Sequence, residues 1–236
     1  MKRALLVLAI VAAVAGFGPS TASAGTECDG LIVCIPVKGP WVQVPGGGTP
    51  TYYQLSCPGR GQVIGGLDAD RAGPLELSFL GTLGGPVGPG ITTSRSAVFV
   101  ARTTRSLASF RPLLGCIPAG GGGGRARTSY EPKRKLMAAA PVVEATIRRV
   151  KNIRLKDAPS ERATYACLSG ERLLAFSSVV AFRQNRPLAL SALGSVRATP
   201  RRAGGRVLVG VRSGITRPPG VRVELQIHAV CVRGPS

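Results

Sequence analysis

At 236 residues the chain can hold one or two domains, and 31 Lys and Arg against 11 Asp and Glu leave a net charge of +20. A field of that sign draws polyanions and disfavours cationic partners. One histidine and no Cys-x-x-Cys pair exclude the common zinc sites. Arginine outnumbers lysine 25 to 6 amid abundant Ala, Gly, Pro and Val, a skew that a GC-rich genome produces by mutation alone, so charge by itself assigns no function.

The first 24 residues have the three parts of a secretory leader: Lys2 and Arg3, an apolar run from Ala4 to Gly18, and the small-residue site Ala22-Ser23-Ala24 before Gly25. The run is shorter than the ~20 residues a spanning helix needs. Cleavage there predicts a secreted chain without a membrane span, keeping all six cysteines and a net charge of +18. An even cysteine count outside the cytoplasm reads as three disulfides.

Cys28 and Cys34 bracket Leu31-Ile32-Val33, so their expected pairing is local. In the chain-entropy account so short a loop contributes about 2 kcal/mol, against ~4 kcal/mol for a loop of roughly 60 residues. Strand signals then follow in series. Trp41–Val44 stops at Pro45-Gly46-Gly47-Gly48, Thr51–Ser56 delivers Cys57, and Gln62-Val63-Ile64 ends at Gly65-Gly66. Pro74-Leu75-Glu76-Leu77-Ser78-Phe79-Leu80-Gly81 alternates, with Leu75, Leu77 and Phe79 on one side. Ala97–Arg102 and Phe110–Leu114 close the series at Cys116.

The octet returns as Pro187-Leu188-Ala189-Leu190-Ser191-Ala192-Leu193-Gly194, identical at six of eight positions, and the same buried strand is expected there. Around it the signals recur in order: Ile153–Leu155, a turn at Asp157–Ser160, Ala163–Ala166 before Cys167, Arg172–Phe176, Arg206–Val211, and Val221–Val230 into Cys231. Each octet thus lies inside a cysteine pair of similar span, Cys57 to Cys116 and Cys167 to Cys231.

The intervening stretch differs in kind. Gly120–Gly124 reads as a flexible linker. Arg125, Arg127, Lys133, Arg134, Lys135, Arg148, Arg149, Lys151, Arg154 and Lys156 follow, opposed only by Glu131 and Glu144. Pro141–Val150 fits a strand better than a helix, because Val142, Val143, Thr146 and Ile147 are β-branched.

Short strands with frequent turns predict an all-β chain of two tandem, disulfide-tied β-sandwich repeats joined by a basic, Gly-rich linker. The first repeat with its amino-terminal cysteine loop takes residues 25–118, the linker 119–149 and the second repeat 150–236. The cysteine separations of 59 and 64 residues are similar to those of immunoglobulin-like domains. That likeness is an analogy, since neither pair encloses Trp41. A single larger sandwich or barrel with one shared core is the alternative.

Catalytic sets are largely missing from this sequence. There is no Gly-x-Ser-x-Gly elbow and no His-Glu-x-x-His. His228 alternates with Val223, Leu225, Ile227 and Ala229, which places it on the exposed face of a strand. No metal and no cofactor are expected. Asp68 and Asp70, at i and i+2 with Glu76 nearby, are the carboxylates that could serve glycan hydrolysis; a solvated loop beside Arg71 is the plainer reading. The ten basic residues are the best binding candidate, a polyanion-binding arm. Only Tyr130 offers an aromatic face there, which disfavours nucleic acid. The expected function is a secreted, non-enzymatic structural or binding protein, whose partner is an anionic envelope or extracellular polymer or another envelope protein. The alternatives are a secreted carboxylate-dependent glycan hydrolase and a disulfide-rich inhibitor or effector.

Overall fold

The computed structural model describes residues 26–31, 33–81, 95–119, 146–214 and 220–233. A 3-10 turn at Thr26–Cys28 leads into β1 (Ile35–Lys38), β2 (Trp41–Val44), β3 (Thr51–Ser56), β4 (Gln62–Ala72), β5 (Glu76–Gly81), β6 (Ser96–Arg102) and β7 (Ala108–Pro118). The later strands are β8 (Thr146–Arg154), β9 (Ser160–Ala166), β10 (Glu171–Arg183), β11 (Val196–Ala203), β12 (Arg206–Ser213) and β13 (Arg222–Arg233), with one helical turn, α1 (Leu190–Leu193), before β11. The chain is all-β, and every described strand pair is antiparallel.

One sheet runs through both halves of the sequence. β7 has β4 on one edge and β1 and β2, end to end, on the other. β2 then pairs with β10, Val42 opposite Ala181 and Trp41 opposite Phe182; β10 pairs with β13 and β13 with β8. Two three-stranded sheets complete the fold, β5-β6-β3 and β11-β12-β9.

Successive side chains of a strand point to opposite faces, and β10 shows where the small sheets sit. Its Val179 and Ala181 join a core with Tyr53, Phe99 and Phe110. Its Val180 and Phe182 join another with Ala163, Val207, Val209 and Leu225. The small sheets therefore cover opposite faces of the shared sheet. This explains why all four residues of β2 are buried, including Gln43, whose Nε2 donates to the Leu193 carbonyl at 2.5 Å.

Three disulfides are formed: Cys28–Cys34, Cys57–Cys116 and Cys167–Cys231. The two long-range bridges join the residue after β3 to β7, and the residue after β9 to β13. Opposite Cys116 and opposite Cys231 the partner strands carry a β-bulge, between Ile64 and Gly66 and between Leu173 and Ala175. Among the described residues no helix is long and apolar enough to cross a membrane.

Two local expectations fail. Gly65-Gly66 does not end a strand: β4 passes through both glycines to Ala72. A Cβ on Gly66 or on its cross-strand partner Gly115 would collide with the Glu27 carbonyl, so these glycines make room for the amino-terminal turn. The second octet is not a strand either. The first octet forms β5 and sends Leu75, Leu77 and Phe79 to the core, as expected. In the second, Leu190–Leu193 coils into α1, and β11 takes the place beside β12 that β5 takes beside β6. Ala192 stands where the first copy has Phe79, which packs edge-on against Phe99 at 5.1 Å. Without that aromatic anchor, an Ala- and Leu-rich segment follows its helical preference.

Candidate functional site

Among the described residues, four arginines without an ion-pair partner gather on the outer face of β9-β12-β11. Val207, Val209 and Val211 of β12 point into the core, which turns Leu208, Gly210 and Arg212 outward. In β11, Val196 and Ala198 face the core and Arg197, Thr199 and Arg201 face out. In β9, Ala163 faces in while Ser160, Arg162 and Thr164 face out. Register arranges these in three cross-strand rows: Ser160–Arg212–Arg197, Arg162–Gly210–Thr199, and Thr164–Leu208–Arg201.

The rows form an open concavity of about 970 Å³, floored by Gly210 and walled by Arg162, Arg197, Arg201 and Arg212. All four arginines are exposed. With strands ~4.8 Å apart and alternate residues ~6.8 Å apart, their backbone positions fall within roughly 10 by 14 Å. Arg197 and Arg212 stand directly opposite each other. Like charges directly opposite each other destabilise a sheet. None of the four is ion-paired among the described residues. Glu161, at the rim, accepts the Lys156 backbone N–H at 3.0 Å.

The basic residues singled out in the sequence have a different fate. Arg125, Arg127, Lys133, Arg134 and Lys135 lie outside the described residues. Arg148, Arg149, Lys151 and Arg154 are on β8, and alternation divides them between its two faces. Arg149 grips Glu171, holding that carboxyl down to about 2, chiefly through the side-chain hydrogen bond. Lys151 lies 6.0 Å over the Tyr165 ring. On the other face Arg148 lies 5.0 Å over Tyr52, and burial lowers its pKa. Arg154 stands opposite Glu224, and Lys156 follows the strand, exposed. Among the described residues β8 pairs only with β13, and charged side chains on an edge strand also guard it against pairing with other chains.

His228 corrects a sequence expectation. It does alternate with the apolar residues, but its face is covered and it is fully buried. The cover is the open edge of β3, which among the described residues pairs only with β6 and leaves backbone groups in need of partners. Gln226 supplies them: its Oε1 accepts the Gln54 N–H at 2.6 Å and its Nε2 donates to the Gln54 carbonyl at 2.9 Å and to Asn152 Oδ1 at 2.8 Å. His228 Nε2 lies 2.6 Å from Gln226 Oε1, and Arg148 Nη1 is 3.4 Å from Nδ1. Burial first, then the Arg148 charge, push the His228 pKa down to about 3, so the ring is neutral.

Asp68 and Asp70 sit in β4, not in a loop, and both have structural partners. Asp68 accepts from the Thr26 N–H at 2.8 Å and hydroxyl at 3.0 Å. Asp70 accepts from Arg111 at 2.5 and 2.8 Å, and that guanidinium also lies 5.1 Å over Trp41. Glu76 belongs to another sheet. Cys167, Glu171 and Cys231 bring donor atoms within 4.8 Å of one another, but the two sulfurs form a disulfide and the carboxylate holds Arg149. Comparison with protein-family models, curated proteins and solved structures gave no match.

Proposed function

We propose that the chain is an exported, non-enzymatic binding protein whose partner is an anionic polymer of the envelope or extracellular space, met by the arginine face of β9-β12-β11. The observation that carries this is the Arg197–Arg212 juxtaposition, flanked by Arg162 and Arg201, with no carboxylate paired to any of the four among the described residues. A ligand charge removes the repulsion that the free protein bears. The leader-like residues 1–24 support export, and three disulfides accord with an oxidising compartment. Among the described residues that line the face none is aromatic, which favours a flexible polyanion over stacked bases.

The reading extends to architecture. Two sandwich repeats, derived from one duplicated unit, account for the shared strand order β5-β6-β3 and β11-β12-β9, the matched bulges and the matched disulfides.

The test is retention on an immobilised anionic polymer across a salt series. Replacing Arg162, Arg197, Arg201 and Arg212 together by Gln should lower the eluting salt and flatten the dependence of log K on log salt, by up to roughly 0.7–0.9 per lost contact by analogy with nucleic acids. Unchanged retention by a folded quadruple variant would refute the assignment. Replacement of Lys133, Arg134, Lys135, Arg148 and Arg149 by Gln should cost less, because Arg148 and Arg149 already have partners.

A further inference from the structure

We propose that the arginine face contains one defined seat, over Gly210, for a tetrahedral oxyanion: a phosphate or sulfate ester group of the bound polymer. This rests on the polyanion reading and narrows its ligand. Gly210 is in the middle of β12, the central strand of its sheet, where a glycine weakens pairing and packs nothing. Three structural reasons could require it, and none applies. Its φ is not positive. The register to both neighbouring strands runs through Gly210 without a bulge. A Cβ there would meet nothing within 4 Å, whereas Gly65, Gly66 and Gly115, also within strands, are each crowded by neighbouring atoms. The remaining reason for a strand glycine is the close approach of something that binds.

The other small sheet shows what the position looks like without that demand. Tyr52, five residues before Cys57, faces Val100, which faces Ser78. Arg162, five residues before Cys167, faces Gly210, which faces Thr199. In the next row the first sheet sets Arg102 opposite Glu76, a favourable pair, where the second sets Arg212 opposite Arg197. A β-branched residue is thus accommodated at the position matching Gly210, and opposite charges at the position of the facing arginines. Both departures clear space and gather donors at one point.

The donors arrive from different sides. Arg162 lies on one flank of Gly210 and the Thr199 hydroxyl on the other, with Arg197 and Arg212 in one adjoining row and Arg201 in the opposite one. A planar carboxylate offers two oxygens in one plane, which a single guanidinium can meet with two parallel bonds. A group with three or four oxygens uses donors spread around it, and arginine's rigid fork suits it better than lysine's point charge.

The experiment titrates the chain from Gly25 onward with dextran phosphate, dextran sulfate and polygalacturonate at matched charge and fixed salt, using wild type, Gly210→Val, Thr199→Val and the quadruple arginine variant. Wild type should prefer the phosphate or sulfate polymer over the carboxylate polymer by about tenfold, the worth of one lost charge-assisted contact. Preference for either tetrahedral polymer supports the seat and identifies its source. Gly210→Val should melt at or above the wild-type temperature, still bind in a salt-sensitive way, and lose the preference; Thr199→Val should reduce it. A folded Gly210→Val that keeps the full preference overturns the seat but leaves the arginine face standing. No preference in wild type, or preference for polygalacturonate, also overturns the seat. Wild-type binding by the quadruple variant overturns the face and the seat together. If Gly210→Val does not fold, Gly210→Ser and Thr199→Val carry the same comparison.

Discussion

Acid should loosen this fold through His228, in a pH window that opens well above the range in which Glu171 titrates. The ring is fully buried, and its pKa is pushed from an ordinary 6.5 to about 3. Because the folded value is depressed, the unfolded chain takes up the proton first. Stability is therefore whole above pH 6.5 and falls as the pH drops toward 3. Each unit of difference is worth about 1.4 kcal/mol, so the loss approaches ~4 kcal/mol at the bottom of the window and is about 2 kcal/mol at pH 5. Glu171 acts in a lower window, since its pKa falls from 4.5 to about 2 and its contribution is lost only as the pH drops through that range. Urea denaturation at pH 7 and pH 5 isolates the histidine. Wild type should lose about 2 kcal/mol between them with an unchanged m-value. His228→Gln, whose amide can replace the Nε2 contact to Gln226, should be weaker than wild type at pH 7 through lost packing, yet nearly flat from pH 7 to pH 5. Equal wild-type stability at both values, or the same slope in the variant, would refute the buried neutral ring.

Gly115→Ala should detach the amino-terminal turn, because the new methyl collides with the Glu27 carbonyl and crowds the Cys34 sulfur. A cost of about 1–3 kcal/mol is expected from overpacking, read by urea denaturation, together with faster proteolytic cleavage near Thr26–Cys34. Replacing Cys167 and Cys231 together by Ser should cost ~4 kcal/mol in the chain-entropy account of a loop this long. A melting temperature within a few degrees of wild type would count against a native state held by that bridge.

Much of the strand pattern was legible in the sequence, because alternation is a local property. Val223, Leu225, Ile227 and Ala229 read as one core-facing row and are one. That six cysteines form three disulfides followed from their even count, while the long-range pairing is seen only in the fold. What joins the halves was not legible. Trp41-Val42-Gln43-Val44 reads as one more short alternating strand, yet β10 on its far edge and α1 over the Gln43 side bury all four residues. Nothing near Gln43 in the chain announces Leu193, 150 residues later. The same holds for His228, whose solvent was replaced by the edge of β3, a strand some 170 positions away. The octet misled for a physical reason: six identical residues do not fix a conformation when the aromatic that anchors the strand is one of the two that differ.

Local density of basic residues pointed at Arg125–Lys156, and among the described residues of that stretch the arginines of β8 at 148 and 149 already have partners. Arg148 is stacked and half-buried, and Arg149 is committed to Glu171. To bind a ligand each must first give up what it holds. The arginines at 162, 197, 201 and 212 are scattered along 51 positions of sequence, and only the register of three strands gathers them. Having no carboxylate to release, they lose less on meeting an anion. The outer surface of the other small sheet makes the contrast. There Val98 is fully buried and Val100 nearly so, and the sheet's free edge is spent on joining the halves through Gln54 and Gln226. The two halves share a frame but differ in what their outer sheets meet. One sets its exposed Arg102 opposite Glu76, and the other sets Arg212 opposite Arg197 with no carboxylate between them.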